Sequence, residues 1–553
     1  MGTTGSGPAV RRGRAAVRAA ALALGLGLLA GCAGPAGPDR AGAAGDGTLV
    51  FATGRQPDCL DPQVSPTDIA AVIDRNIFDS LVRMAPDGSF RPWLARTWTV
   101  SPDGRTYTFR LRPGVTFHDG TRLDATAVKA TLDHAVAPTT KSQYAAGLVS
   151  AYQRAEVPDP LTVRVHLKAR NTPFLQALST AYLGIQSPAS MSANAGGLCG
   201  HPVGSGPFRF VNWTKNSGVG LIRNDAYRWP AEGTAAHGAG RRPRALEIRF
   251  ITEEASRFGA LTSGQADVID DVPPAQVKNL RSYPGLHSLS AAAPGAVYAL
   301  LLNSRSGPLA DERVRRALLA CVDLDRLVKA VEFGQFPRAW SPIGPTTPGY
   351  DRSVVGTWRY DPAAAARLLD QAGWTGRDAE GYRTKDGTRL RLRWPYAAQY
   401  QTAANTLAQG IQAEAKKAGI DIAYVGEDTG TFGDTLARRT LDMYGTSFVR
   451  AEPDILRFFY ASDQTHDRGG GNIFGVSDPE LDRALHTAAH EAVPARRDRE
   501  YATAQQLLLR KALVMPVYVP MKLVGAADRV RGLSFDPAGF PLLSDVRFQE
   551  TSR

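Results

Sequence analysis

The chain of 553 residues lacks the signatures of the commoner enzyme classes. It has no HExxH, no GxSxG elbow, and no Cys/His/Asn pattern around Cys199 or Cys321, so no zinc-protease, serine-hydrolase or thiol-protease chemistry is expected. It has only four cysteines, Cys32, Cys59, Cys199 and Cys321, with no CxxC or histidine cluster beside them, which argues against a zinc site. The stretch PVGSGPFRF (Pro202–Phe210) offers a glycine-rich loop, but no Lys-Ser/Thr follows and no GxxxxGK occurs, so phosphate cradling is not expected. Beyond the first thirty residues there is no second long apolar run, which excludes a permease. The formal charge of +12 is not gathered into Lys/Arg runs interleaved with aromatics, so the chain reads as a basic solvated surface and not as a nucleic-acid binder. No internal repeat is evident.

Acidic residues are absent from residues 1–31, where Arg11, Arg12, Arg14 and Arg18 precede an apolar run from Ala19 to Ala30. A basic segment, a short apolar core and small residues make a secretory signal, too short for a spanning helix. Leu29-Ala30-Gly31-Cys32 looks like a bacterial lipobox, so Cys32 is expected to be diacylated and to start the mature chain. Arg11-Arg12 leaves both the general and the twin-arginine export routes open. Without the signal the charge is about +8. Residues 32–47, rich in Gly, Ala and Pro without periodicity, read as a flexible tether. The expected location is the outer face of the cell membrane, held by lipid.

Residues 48–553 are enough for two or three domains. Ile69, Val72, Ile73, Ile77 and Leu81 recur at roughly helical spacing. Pro86-Asp87-Gly88 and Pro102-Asp103-Gly104 are turns between strand-like residues, and Tyr107, Phe109 and Leu111 alternate with polar residues as in a half-buried strand. Val163, Val165 and Leu167 repeat that pattern, residues 174–183 read as helix, and Asp361-Pro362 suits an N-cap followed by proline at the first helical position. Residues 390–394 and 421–425 read as strands flanking a helix over 401–418. His486 and His490 have the i, i+4 spacing of a metal pair, but Arg483, Glu491, Arg496 and Arg497 around them indicate a solvated helical face.

The run NIFDSLVRMAPDGSFRPWLARTWTVSPDGRTYTFRLRPGVTFHDG (Asn76–Gly120) strongly resembles the signature region of the extracellular solute-binding proteins, family 5, which serve peptide, dipeptide and nickel ABC importers. PVGSGPF, IRNDAYRW (Ile222–Trp229), the segment Val297–Ile343 and MPVYVP (Met515–Pro520) continue the family's order. The resemblance implies a mixed α/β, two-lobed clamp of the periplasmic-binding-protein type with a hinge and an extra inserted domain. Lobe I would comprise 48–89, 204–295 and 515–553, the inserted domain 90–203, and lobe II 296–514. It also implies a monomer that closes on a small-molecule or peptide ligand and docks on a membrane permease with its ATPase. No enzymatic activity, cofactor or metal is expected. In that fold Cys59 and Cys199 fall in loops at the base of one domain and are expected to form a disulfide, while Cys321 is a buried free thiol. His118-Asp119 would be a structural turn and not an acid–base pair. The glycines of PVGSGPF would let the backbone cross tightly between domains.

Peptide-binding relatives usually carry W-x-x-D-Y-x-x-P-D, whose Asp anchors an α-amine. This chain reads Thr446-Ser447-Phe448-Val449-Arg450-Ala451-Glu452-Pro453-Asp454 there, with Val449 at the Asp position and Thr446 at the Trp position. A peptide held by its amino terminus is therefore in doubt, because a buried ammonium would lack its carboxylate. Arg450 is instead a candidate clamp for a carboxylate or phosphate, the alternatives being a solvent-facing arginine or one paired with Glu452. Matching residue by residue gives Thr67, Asp68, Tyr298, Trp340, Tyr396, Gln399, Phe448 and Arg450 as ligand-contact candidates. The function expected is capture of an oligopeptide or peptide-like solute for import. A ligand-sensing receptor without transport and a secreted hydrolase on the same fold are the alternatives.

Overall fold

The computed structural model describes residues 47–193, 196–234, 240–398, 403–468 and 470–549. The signal segment 1–31, Cys32, the tether up to residue 46 and Gln399 lie outside the described residues.

β1 (Thr48–Thr53) is apolar on both faces, and both are covered: Leu49 and Phe51 enter one core, Val50 and Ala52 another. Helix α1 (Asp68–Ile77) follows and buries Ile69, Val72, Ile73 and Ile77. It stops there because Phe78 is extended, so Leu81 lies beyond the helix, although it is buried. β2 (Ala95–Val100), β3 (Thr106–Leu111), helix α2 (Ala125–Val136), β4 (Tyr152–Asp159) and β5 (Thr162–Leu167) form the next unit, with a four-stranded sheet in the order β2-β3-β5-β4. Its inward residues Tyr107, Phe109, Val163 and Leu167 join the same apolar core as Phe51. The two Pro-Asp-Gly turns are closed by their aspartates: Asp87 Oδ1 accepts from Ser89 N–H and Asp103 Oδ1 from Arg105 N–H.

β6 (Phe208–Thr214), β7 (Gly218–Arg223), β8 (Ala245–Phe250), β9 (Val268–Ile269) and β10 (Leu286–Ala292) then build most of the main sheet. The chain crosses to the second lobe at residues 293–294. There β11 (Gly295–Leu302), β12 (Arg391–Ala397), β13 (Asp421–Glu427), β14 (Met443–Val449) and β15 (Val514–Tyr518) make two sheets, β14-β11-β15 and the parallel pair β12-β13. Alternation along β11 serves two cores, Leu300 and Leu302 on one side and Val297, Ala299 and Leu301 on the other. β16 (Met521–Ala527) returns to complete the first lobe's seven-stranded sheet, β10-β16-β9-β1-β8-β7-β6, in which β1 is parallel to β8 and β9. β15 is held by β11, and residues 519–520 join it to β16. The two crossings are bonded to each other, Ala293 N–H to Pro520 C=O at 2.8 Å, which ties the hinge strands together.

Cys59 and Cys199 form a disulfide with a Cα–Cα distance of 4.4 Å, and Cys321 is a buried free cysteine. Gly204 of PVGSGPF lies where an added Cβ would be 2.1 Å from the Ile77 carbonyl oxygen. Gly206 N–H donates to that same oxygen at 2.8 Å, so this loop packs against the last turn of α1 within the first lobe. His118 lies in a turn ahead of α2, its Nε2 3.0 Å from the Gly206 carbonyl, and burial pushes its pKa down to about 4. Asp119 accepts from Thr121 and Ser187. His490 Nδ1 bonds the His486 carbonyl on an exposed helix end, and no group of three metal-ligating side chains exists among the described residues. No helix of the described residues is long and apolar enough to cross a membrane.

Candidate functional site

A cavity with about 1120 Å³ of empty space, part of it open to solvent, lies between the lobes. Its walls come from α1 and the residues after it, residues 144 and 176–182, the loop 536–547, and Val449–Ala451 just after β14.

The first-lobe wall is set by a break in secondary structure. Residues 174–183 do not form one helix: a turn of helix at Phe174–Ala177 and a 3₁₀ turn at Ala181–Leu183 are separated by a bend. The bend turns two carbonyls toward α1 and the residues after it. Ser179 C=O accepts from Arg75 Nη2 at 2.8 Å, and Thr180 C=O accepts from Ser80 Oγ at 2.8 Å. Arg75 Nη1 donates back to Ser80 Oγ at 2.9 Å, and its guanidinium lies 5.1 Å from the Trp93 ring centroid. All these partners are neutral. Burial pushes its pKa down from the usual arginine range despite the fields of Asp536 and Asp79.

The second-lobe wall is the end of β14. Its pairing with β11 places Val449 opposite Gly295, and Arg450 N–H bonds the Pro294 carbonyl at 3.2 Å. Gly295 has φ of +92°, and a Cβ there would be 2.4 Å from Arg450 N, so only glycine permits this approach. The Arg450 guanidinium lies 3.5 Å from the Tyr144 ring centroid and 4.0 Å from that of Phe448. Its one hydrogen-bond acceptor among the described residues is the adjacent Val449 carbonyl, at 2.7 Å. Glu452 does not serve it, because that carboxylate pairs with Arg497. Burial lowers the Arg450 pKa, opposed by Tyr144, Tyr182 and Asp68.

Two carboxylates stand on the cavity wall. Asp536 accepts from Ala538 N–H and Phe540 N–H of its own loop, both at 2.9 Å, and burial raises its pKa. Burial also raises that of Asp545. Neither is within ion-pair distance of Arg75 or Arg450 among the described residues.

Of the sequence candidates, Arg450 is on the cavity wall and Phe448 supports its guanidinium. Asp68 lines a smaller neighbouring recess that shares Phe540 with the cavity, and pairs with Lys522 at 3.3 Å. Thr67 leads into α1 with its hydroxyl toward Asp58 and Ser65. Tyr298, Trp340 and Tyr396 are not on the wall. Tyr298 stacks on Tyr518 at 4.8 Å, Tyr396 on Tyr424 at 4.3 Å, and Trp340 takes the Arg338 guanidinium at 4.8 Å. Sequence reasoning missed Arg75, Tyr144 and Tyr182. A cation inside the apolar helix DIAAVIDRNI was the one available signal for Arg75.

The profile of the bacterial extracellular solute-binding proteins, family 5 (middle), matches residues 89–469. The chain belongs to this family. The glutathione-binding protein GsiB of Salmonella paratyphi A is 26% identical over 508 residues, covering 90% of this chain and 93% of the relative. GsiB of Pectobacterium atrosepticum is 30% identical over 328 residues, covering 59% and 61%. Among solved structures, NikA from Brucella suis in complex with Fe(III)-EDTA matches with a TM-score of 0.80 at 25% identity, covering 91% of this chain and all of that one. DppA from Helicobacter pylori in complex with the peptide STSA matches with a TM-score of 0.75 at 23% identity, covering 91% and 98%. The family 5 chain is thus a two-lobed substrate-binding protein of the ABC-importer type, not an enzyme, and its family works outside the cytoplasm.

Proposed function

We propose that this protein captures a peptide-like solute bearing a carboxylate, anchors that carboxylate on Arg450, and hands the solute to an ABC permease and its ATPase. In this reading Cys32 carries the lipid that holds a monomeric receptor at the outer face of the membrane. The observation that carries the ligand reading is the Arg450 guanidinium: it lines the interlobe cavity between two aromatic faces, with no carboxylate in ion-pair range among the described residues. A charge taken from water without a partner is costly, and an anionic ligand supplies that partner with the fork geometry an arginine favours. Val449, where peptide-binding relatives carry an amine-anchoring Asp, speaks for a carboxylate end in place of an ammonium end. Relatives named for glutathione, a tripeptide with two free carboxylates, and a structural neighbour holding a peptide are consistent with it.

Isothermal titration of the soluble form starting after Cys32, with glutathione and short peptides against their carboxamide forms, tests the ligand reading. Micromolar binding is expected for the acids, about −8 kcal/mol. Blocking the carboxylate is expected to weaken it by roughly 10- to 100-fold, the usual worth of a charge-assisted bond. Amides that bind as tightly as acids, or no binding by any carboxylate, would overturn it. Uptake of the bound solute in cells with and without the protein tests delivery to the permease.

A further inference from the structure

We propose that the cleft recognises two anionic groups on one ligand, Arg450 of the second lobe taking one and Arg75 of the first lobe the other, so that the substrate class is a dicarboxylic peptide-like acid. This rests on the reading of Arg450 as a carboxylate anchor.

Arg75 and Arg450 line the same cavity from opposite lobes. A short chain of contacts links them: Arg75 donates to Ser179, the bend leads to Tyr182, Tyr182 packs edge-on against Tyr144 at 4.7 Å, and Tyr144 faces Arg450. A guanidinium offers five N–H donors. Arg75 directs its own to one hydroxyl and one carbonyl, Arg450 to one carbonyl. Each has an aromatic ring under it, which fixes the plane of the fork without using an N–H. Arg547, also on the wall, is different in kind, being turned onto the Asp545 and Val546 carbonyls. The wall's carboxylates Asp536 and Asp545 stand outside ion-pair distance of both arginines among the described residues, and Asp536 is turned onto the Ala538 and Phe540 N–H groups of its own loop.

Arg75 and Arg450 are like charges on one cavity wall, which Arg83, Arg242 and Arg547 also line, and like charges repel more strongly as water is excluded. A ligand with one acid contacts one arginine and leaves the other uncompensated. A ligand with two acids relieves both and bridges the lobes, so its differential affinity for the closed form drives closure.

The test crosses ligand edits with arginine variants in the soluble protein, read by titration calorimetry. The ligands are glutathione and its two monoamides, each blocking one carboxylate. With the native protein each monoamide is expected to bind at least about 10-fold more weakly than glutathione. In Arg75→Met one monoamide is expected to bind within about threefold of glutathione, and in Arg450→Met the other, because each variant has lost the partner of the blocked group. Arg75→Lys, which keeps the charge and loses the fork, guards against a misfolded Met variant and is expected to fall between. If Arg75→Met and Arg75→Lys leave glutathione affinity within threefold while Arg450→Met abolishes the preference for acids, the second anion site is wrong and the single-anchor reading stands. If no carboxylate compound binds the native protein, both fall.

Discussion

Two sets of arginines in this molecule, one buried and one half-buried, are held in opposite ways. Arg315, 5% exposed, donates to four backbone carbonyls, those of Leu309, Ala310, Lys511 and Ala512, at 2.8–3.1 Å. Arg257, 3% exposed, likewise meets the carbonyls of Ile251, Asp270 and Asp271. These side chains tie loops to helices and leave little donor capacity. Arg75 and Arg450, on the cavity wall, rest on aromatic rings and meet one or two neutral acceptors each. The charge is the same in both sets. What separates the two sets is where the N–H groups go, and on the proposed reading that accounting distinguishes an arginine that holds the fold from one that meets a ligand.

The largest effect is expected on the scaffold side. Arg315→Met leaves several buried carbonyls without donors, each costing about 1–3 kcal/mol when unsatisfied. A loss of about 3–5 kcal/mol in urea denaturation is the expected outcome, with ligand affinity in the surviving folded fraction unchanged. A loss under about 1 kcal/mol would show that saturated N–H groups do not mark scaffold arginines.

A buried carboxylate in the same lobe as Arg75 sharpens the comparison through pH. Asp79 is fully buried and accepts from Ser205 Oγ, Tyr227 Oη and Trp229 Nε1 at 2.8–3.0 Å, yet burial pushes its pKa up to about 6. Between about pH 4 and pH 6 the folded state therefore holds a proton that the unfolded chain has released. Stability from this group is fully present below that window and declines as pH rises through it, by about 3 kcal/mol. Denaturation midpoints of the native protein and Asp79→Asn are expected to converge toward pH 4 and to separate toward pH 7, with the native protein losing relative ground. A difference that stays flat with pH would show that three hydrogen bonds compensate the buried charge in full.

The asymmetry between scaffold and site also explains what the sequence discloses. Alternation in TYTFRL, the two Pro-Asp-Gly turns and the N-cap at Asp361, which accepts from Ala364 N–H at 2.8 Å, are local features set by nearest neighbours, and they stand where the sequence places them. The bend at 178–180 is different. Its carbonyls answer Arg75 and Ser80, about a hundred residues earlier, and no local propensity encodes that pairing. Tyr298 and Tyr396 carry the signal of strand-end aromatics, but each has a neighbouring tyrosine to stack on and is turned to packing. Arg450 is legible because it stands beside Val449, the position where peptide-binding relatives place an Asp. Arg75 is not, because its meaning depends on which groups surround it and not on what precedes it in the chain.

The smallest expected effect discriminates best. In ligand-stripped protein, Arg450→Met removes one hydrogen bond to the adjacent carbonyl and two cation–ring contacts, and relieves the desolvation of a charge without a carboxylate. Cation–ring contacts contribute about 0.5–2 kcal/mol each, and a methionine refills the space between Tyr144 and Phe448 with apolar, adaptable contact. Gain and loss nearly cancel, so a change within about 1 kcal/mol is expected, against the several lost in Arg315→Met. The same substitution is expected to lower affinity for an acidic ligand by at least about 10-fold. A binding defect without a folding defect is the signature of N–H groups reserved for a ligand. Should Arg450→Met unfold the protein as readily as Arg315→Met does, the rings beside it are its purpose, and the anion anchor must be sought elsewhere on the cavity wall.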